Sequence, residues 1–152
     1  MKRRPALPAR RGFTMIEVLI ALLVFSFGVL AMVGIQATAV RMATDARDRA
    51  TAVFMADQLL ARMLIADPAT VATFAHQPSG ATACNPSGAA SANAVVTAWL
   101  GEVASQLPNA GAGLQQVIVN PANSLVTIRL CWQNGTDTPR HLEVINQVQW
   151  QS

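Results

Sequence analysis

The chain is 152 residues long, 52% hydrophobic and 12% charged, with two Cys and no Tyr. That length suits one small domain plus an extra apolar segment. The scarcity of charge and cysteine excludes a disordered charged tail, a coiled coil and a disulfide-dense mini-protein. The formal charge of +3 belongs to one end: Lys2, Arg3, Arg4, Arg10 and Arg11 precede residue 12, and from residue 13 onward six Arg stand against eight acids, a balance of −2. Such a distribution is weak electrostatic footing for nucleic acid, and no nucleic-acid partner is expected. It reads as a topology signal, because Lys and Arg are held on the cytoplasmic side of a membrane.

Residues 18–40 carry no charged side chain. As a helix at about 1.5 Å per residue they would reach roughly 35 Å, enough to cross a hydrocarbon core of about 30 Å. A competing reading is a secretory signal cut after Ala39, since Ala37-Thr38-Ala39 is an A-x-A site, but the run exceeds the roughly 7 to 15 apolar residues of such signals. Glu17 sits near the start of the run. A carboxylate in a membrane helix is disfavoured by about 2.5–3.5 kcal/mol at the bilayer centre and by less near an end, so it either snorkels to the headgroups or has a partner.

The segment Arg10-Arg11-Gly12-Phe13-Thr14-Met15-Ile16-Glu17-Val18-Leu19-Ile20-Ala21 resembles the processing site of type IV prepilins. The resemblance implies that an inner-membrane prepilin peptidase cuts between Gly12 and Phe13 and methylates the new amine of Phe13 from S-adenosylmethionine. Glu17 is then the acid that the family keeps five residues into the mature chain. Such a cut removes a basic leader, residues 1–12, and leaves the helix attached. A buried amine at Phe13 would be neutralised by Glu17 of a neighbouring helix as subunits pack, since a paired buried charge costs far less than an isolated one. Gly28 and Gly34 allow close helix approach and lower helix propensity. In major pilins a proline often falls where Gly34 stands, so helix unwinding here is permitted rather than built in.

Residues 13–40 therefore form the transmembrane and assembly half of a long helix, and residues 41–67 its periplasmic half. Arg41 and Asp45, and Asp45 and Arg49, have i,i+4 spacing on a wet face, while Val53, Leu60, Met63 and Leu64 recur at helical spacing toward a globular part. Pro68 ends the run near Ala66. Residues 68–91 read as an irregular loop. A short helix follows, capped by Ser91, with Val95, Val96, Trp99, Leu100, Val103 and Leu107 on its apolar face and Pro108 at its end. Period-two alternation then predicts strands at 117–119, at Val126, Ile128, Leu130 and Trp132, and at Leu142, Val144, Val148 and Trp150 with Asn146 as the exception. Turns fall at 120–123 and at Asn134-Gly135. The expected fold is α+β: a long N-terminal helix packed on a small antiparallel sheet domain, residues 68–152, of three strands or four.

With the leader in the cytoplasm, Cys84 and Cys131 lie in an oxidising periplasm, where a disulfide is expected. Cys131 falls on the strand face away from Trp132, so the bridge would pin the loop to the outer face of the sheet. His76 and His141 lack metal-ligand spacing and read as surface residues, and no catalytic motif occurs. No enzyme activity, metal or cofactor is expected.

The apolar helix, the segment Ala56-Asp57-Gln58-Leu59-Leu60-Ala61-Arg62-Met63 and the Cys-bearing sheet domain together resemble the minor pilins of the PilV group, the type IV pilus modification proteins. That resemblance implies a subunit held in the inner membrane with its globular domain in the periplasm, then placed in the pilus filament or at its tip. Its implied partners are the prepilin peptidase, other minor pilins, the major pilin, the inner-membrane assembly machinery and a tip adhesin. Two other readings share parts of this pattern: a minor pseudopilin of a type II secretion system, and a secreted binding domain released by signal cleavage.

Overall fold

The structure, a computed structural model, describes residues 12–80 and 82–149. The basic leader through Arg11, and Trp150, lie outside the described residues. The chain divides into two compact units, residues 1–43 and residues 44–152.

In the first unit the described chain is the beginning of helix α1, Met15–Leu64. It starts where the carbonyl of Thr14 accepts from the amides of Glu17 (3.1 Å) and Val18 (3.4 Å). The hydroxyls of Ser26 and Thr38 donate back to the carbonyls of Leu22 (2.7 Å) and Gly34 (3.2 Å), so these polar side chains are satisfied within the helix. Gly28 and Gly34 are both helical and open to solvent.

In the second unit α1 continues and is followed by a 3₁₀ helix, Pro68–Phe74, helix α2, Ala94–Gln106, a 3₁₀ turn, Ala112–Leu114, and strands β1 (Gln116–Asn120), β2 (Leu125–Trp132) and β3 (Arg140–Gln147). The strands form an antiparallel sheet in the order β1-β2-β3. Val117 pairs with Ile128, and Ile128 with Val144. The core gathers Ala52, Met55, Ala56, Leu59, Leu60 and Met63 of α1, Val96, Trp99, Leu100 and Val103 of α2, and Val126, Ile128, Leu130 and Trp132 of β2. The indole N–H of Trp99 donates to the carbonyl of Met55 at 2.8 Å, which supplies the partner a buried indole needs. The α+β class and the antiparallel sheet are those expected.

Several local expectations are corrected. The buried face of α1 is one step round from the expected one: Leu60 and Met63 are buried, but Val53 and Leu64 are exposed. Asp45 pairs with Arg140 at 2.7 Å rather than with either helical arginine, because β3 begins beside this turn of α1. The stretch after Pro68 has regular structure. Asp67 Oδ1 accepts from the Ala69 amide at 2.9 Å, Pro68 fills the first helical position, and the 3₁₀ helix buries Val71 and Phe74. Asn93 rather than Ser91 caps α2, its Oδ1 accepting from Val95 N at 2.9 Å, while Ser91 Oγ donates to the Thr73 carbonyl at 2.8 Å. Val95 faces outward, unlike the rest of the predicted α2 face.

The possible fourth strand is an isolated bridge from His76 to Val117. His76 is buried, not a surface residue: its Nδ1 accepts from the Ser91 amide (3.1 Å) and its Nε2 meets the Ala112 carbonyl (3.0 Å). His141 is exposed. Asn134-Gly135 does make a turn, with Asp137 N donating to Asn134 O at 3.0 Å and Gly135 at φ 57°. It sits within a longer connection, residues 133–139, rather than forming a two-residue hairpin.

Candidate processing and assembly site

Gly12, Phe13 and Thr14 precede α1 and have no regular secondary structure. All three are exposed, Phe13 at 83%. The Gly12–Phe13 peptide bond therefore lies outside the helix and has no helical hydrogen bond. A Cβ placed on Gly12 would meet nothing within 4 Å. Any demand for glycine there comes from outside this fold.

Glu17 stands in the first turn of α1. A carboxylate there is favoured by the unpaired amides and the positive end of the helix dipole. It lies four residues after Phe13, which precedes the helix, and the two side chains border one surface. With Val18, Ala21, Leu22 and Phe25 they line an open, mostly apolar surface. From Val18 through Ile35 the helix exposes Leu, Ile, Val, Phe and Met side chains almost without interruption. In water such a surface is strongly unfavourable. The segment is long and apolar enough to cross a membrane.

The two cysteines are joined, Cys84 to Cys131, across 47 positions with Cα atoms 5.4 Å apart. Cys131 is fully buried even though its side chain lies opposite Trp132, because the loop it tethers covers that face. Two glutamines that no sequence pattern singles out hold this region. Gln115 Oε1 accepts from Cys131 N (2.8 Å) while its Nε2 donates to Cys131 O (2.9 Å), so the side chain continues the β-ladder. Gln116 Nε2 donates to the carbonyls of Gln77 (2.9 Å) and Ser79 (2.7 Å), and its Oε1 accepts from Arg129 (2.8 Å). Among the described residues no cluster of His, Cys, Asp and Glu could hold a metal ion.

Residues 7–33 match the family model described as the prokaryotic N-terminal methylation motif. The matched stretch contains Gly12, Phe13, Glu17 and Gly28, and stops one residue short of Gly34. The match indicates a prokaryotic type IV pilin-like prepilin, and with it processing by a prepilin peptidase and assembly partners of the pilus or pseudopilus kind. The apolar helix is compatible with the membrane anchoring typical of such proteins. No curated protein and no solved structure matches the chain.

Proposed function

We propose that this chain is a minor type IV pilin of the pilus-modification kind, a structural and assembly subunit rather than an enzyme. It is matured by cleavage between Gly12 and Phe13 and N-methylation of Phe13. It then waits in the inner membrane with its globular unit in the periplasm, and takes part in priming the filament with other minor pilins. The observation that carries this reading is the exposed Gly12–Phe13 bond directly ahead of an apolar helix whose first turn holds Glu17. On this reading the mature helix leaves the bilayer only when neighbouring subunits cover its apolar face, and Glu17 sets the register by meeting the amine of Phe13 on the next subunit. The disulfide suits the oxidising compartment in which the globular unit is placed.

The test is the N-terminal residue and intact mass of the protein recovered from membranes of cells with and without their prepilin peptidase. A chain that begins at N-methyl-Phe13 only when the peptidase is present supports the reading. A chain that begins at Val40 means that the helix is discarded, and the filament role falls. A pseudopilin of a type II secretion system would mature in the same way, and recovery in sheared pili separates the two.

A further inference from the structure

Asn134 is the one asparagine in the chain that glycine follows, and the fold requires that glycine. The carbonyl of Asn134 accepts from Asp137 N at 3.0 Å, closing a turn in which Gly135 holds φ 57°, a conformation that an L side chain adopts only with strain. The turn is braced at its entry. Gln133 N donates to Pro108 O (3.0 Å), Gln133 O accepts from Asn109 Nδ2 (3.0 Å), and Gln133 Nε2 donates to Asp137 O (2.7 Å).

The same glycine leaves a reactive group uncovered. Gly135 is exposed, and among the described residues its amide N–H has no hydrogen-bond partner. With no Cβ beside it, this nitrogen is the least shielded that can follow an asparagine. The amide carbon of an asparagine side chain is within reach of the next backbone nitrogen, and a bond between them closes a cyclic imide.

Asp48 opposes that reaction. Its Oδ2 accepts from Asn134 Nδ2 at 2.8 Å, and only 8% of its surface is exposed. A hydrogen bond to a carboxylate in a shielded setting is stronger than one between neutral groups. It fixes the side-chain amide against α1, and Nδ2 cannot depart until it breaks.

We propose that Asn134 is a self-modification site, converted to aspartate or isoaspartate through the Gly135 nitrogen, and that the Asp48 contact sets the rate. The Gly135 nitrogen gives up its proton and bonds to Cγ of Asn134. The Cγ–Nδ2 bond breaks, and the amide group leaves as ammonia, taking up that proton. Water then opens the imide at one carbonyl or the other, restoring the N–H. The net reaction consumes water and releases ammonia, and nothing is oxidised or reduced. The product sets a second carboxylate against the buried one of Asp48 and removes its donor, so the β2–β3 connection loses this tie to α1. Asp48, Asn134 and Gly135 all lie in the second unit, and the inference is independent of processing at Gly12.

The experiment incubates the purified full chain in detergent micelles in neutral buffer and follows residue 134 by peptide mass mapping. It reads the amide-to-acid mass increment, with enzymatic isoaspartate labelling to identify the product. Asn123, followed by Ser124 and bonded through its Oδ1 to Leu125 N, is the internal comparator. Wild type is expected to convert Asn134 several-fold faster than Asn123. Asp48→Ala should convert Asn134 several-fold faster still, while Asn123 keeps its wild-type rate. Asp48→Asn, which retains an acceptor oxygen, should return Asn134 toward the wild-type rate. A folded wild type in which residue 134 converts no faster than residue 123 would overturn the proposal. So would an Asp48→Ala rate equal to that of wild type, or an Asp48→Asn rate equal to that of Asp48→Ala. Equal acceleration of Asn123 and Asn134 in Asp48→Ala would overturn it too, because that is general unfolding and not the release of one contact.

Discussion

The carboxylate of Asp48 accepts a hydrogen bond from the side-chain amide of Asn134 at 2.8 Å, tying α1 to the connection between β2 and β3 across 86 positions. Asp48 is 92% buried, since only 8% of its surface is exposed. Three positions earlier Asp45 meets Arg140 at the other end of the same connection. One turn of helix thus holds both ends of the β2–β3 loop. A buried carboxylate deprived of a donor keeps its desolvation cost without compensation.

Asn134→Ala is therefore expected to lower stability by about 1–3 kcal/mol. Asn134→Asp, which sets two carboxylates together, should cost more at neutral pH. The readout is tryptophan fluorescence during urea unfolding, to which the first unit, residues 1–43, contributes no tryptophan. Equal midpoints for the Ala and Asp variants would contradict the like-charge argument.

Gln115 is fully buried and serves both backbone groups of Cys131. Its replacement by Ala strands a buried N–H and C=O and opens a cavity, at an expected cost of about 3 kcal/mol. Gln115→Glu should be at least as damaging, because it removes the donor and buries a charge. The same unfolding assay measures both.

Replacing Cys84 and Cys131 together by Ala is expected to lower stability by about 4 kcal/mol for a loop of this length. Reduction of the wild-type protein should shift the unfolding midpoint by a similar amount. The segment most exposed by the loss is the loop through residue 91, so limited proteolysis should cut there first.

On the proposed function, Glu17→Ala should leave cleavage after Gly12 largely intact and reduce recovery in sheared filaments, because that reading keeps the cleaved segment unchanged and removes the carboxylate proposed to meet the Phe13 amine. Gly12→Val should block maturation without disturbing the fold, given the open space around that position. Mass spectrometry of membrane and filament fractions separates the two outcomes. Normal incorporation of Glu17→Ala would remove the role assigned to Glu17.

The long helix, the strand alternation and the N-terminal site were legible in the sequence because each is a local property. Hydropathy over residues 18–40, period-two spacing at Val126, Ile128 and Leu130, and the run from Gly12 through Glu17 need no knowledge of distant contacts. The errors cluster where a polar residue chose between a near partner and a far one. Asp45 had two arginines within one helical turn and pairs with Arg140 instead. His76 looked solvated by composition and is enclosed by Ser91 and Ala112. Exposed i,i+4 pairs contribute only about 0.2–0.5 kcal/mol, so tertiary placement overrides them readily.

What the sequence determined by itself was a basic N-terminus, a methylation-motif stretch, an apolar helix and a small antiparallel sheet with two cysteines to bridge. What only the tertiary structure decided was how that sheet is held and how the β2–β3 connection is tied to α1. Those outcomes depend on buried hydrogen bonds from Gln115, Gln116 and Asn134 to groups far along the chain. A polar side chain carries no mark in sequence of whether water or a distant backbone will satisfy it, and burial settles the matter only after the core has formed.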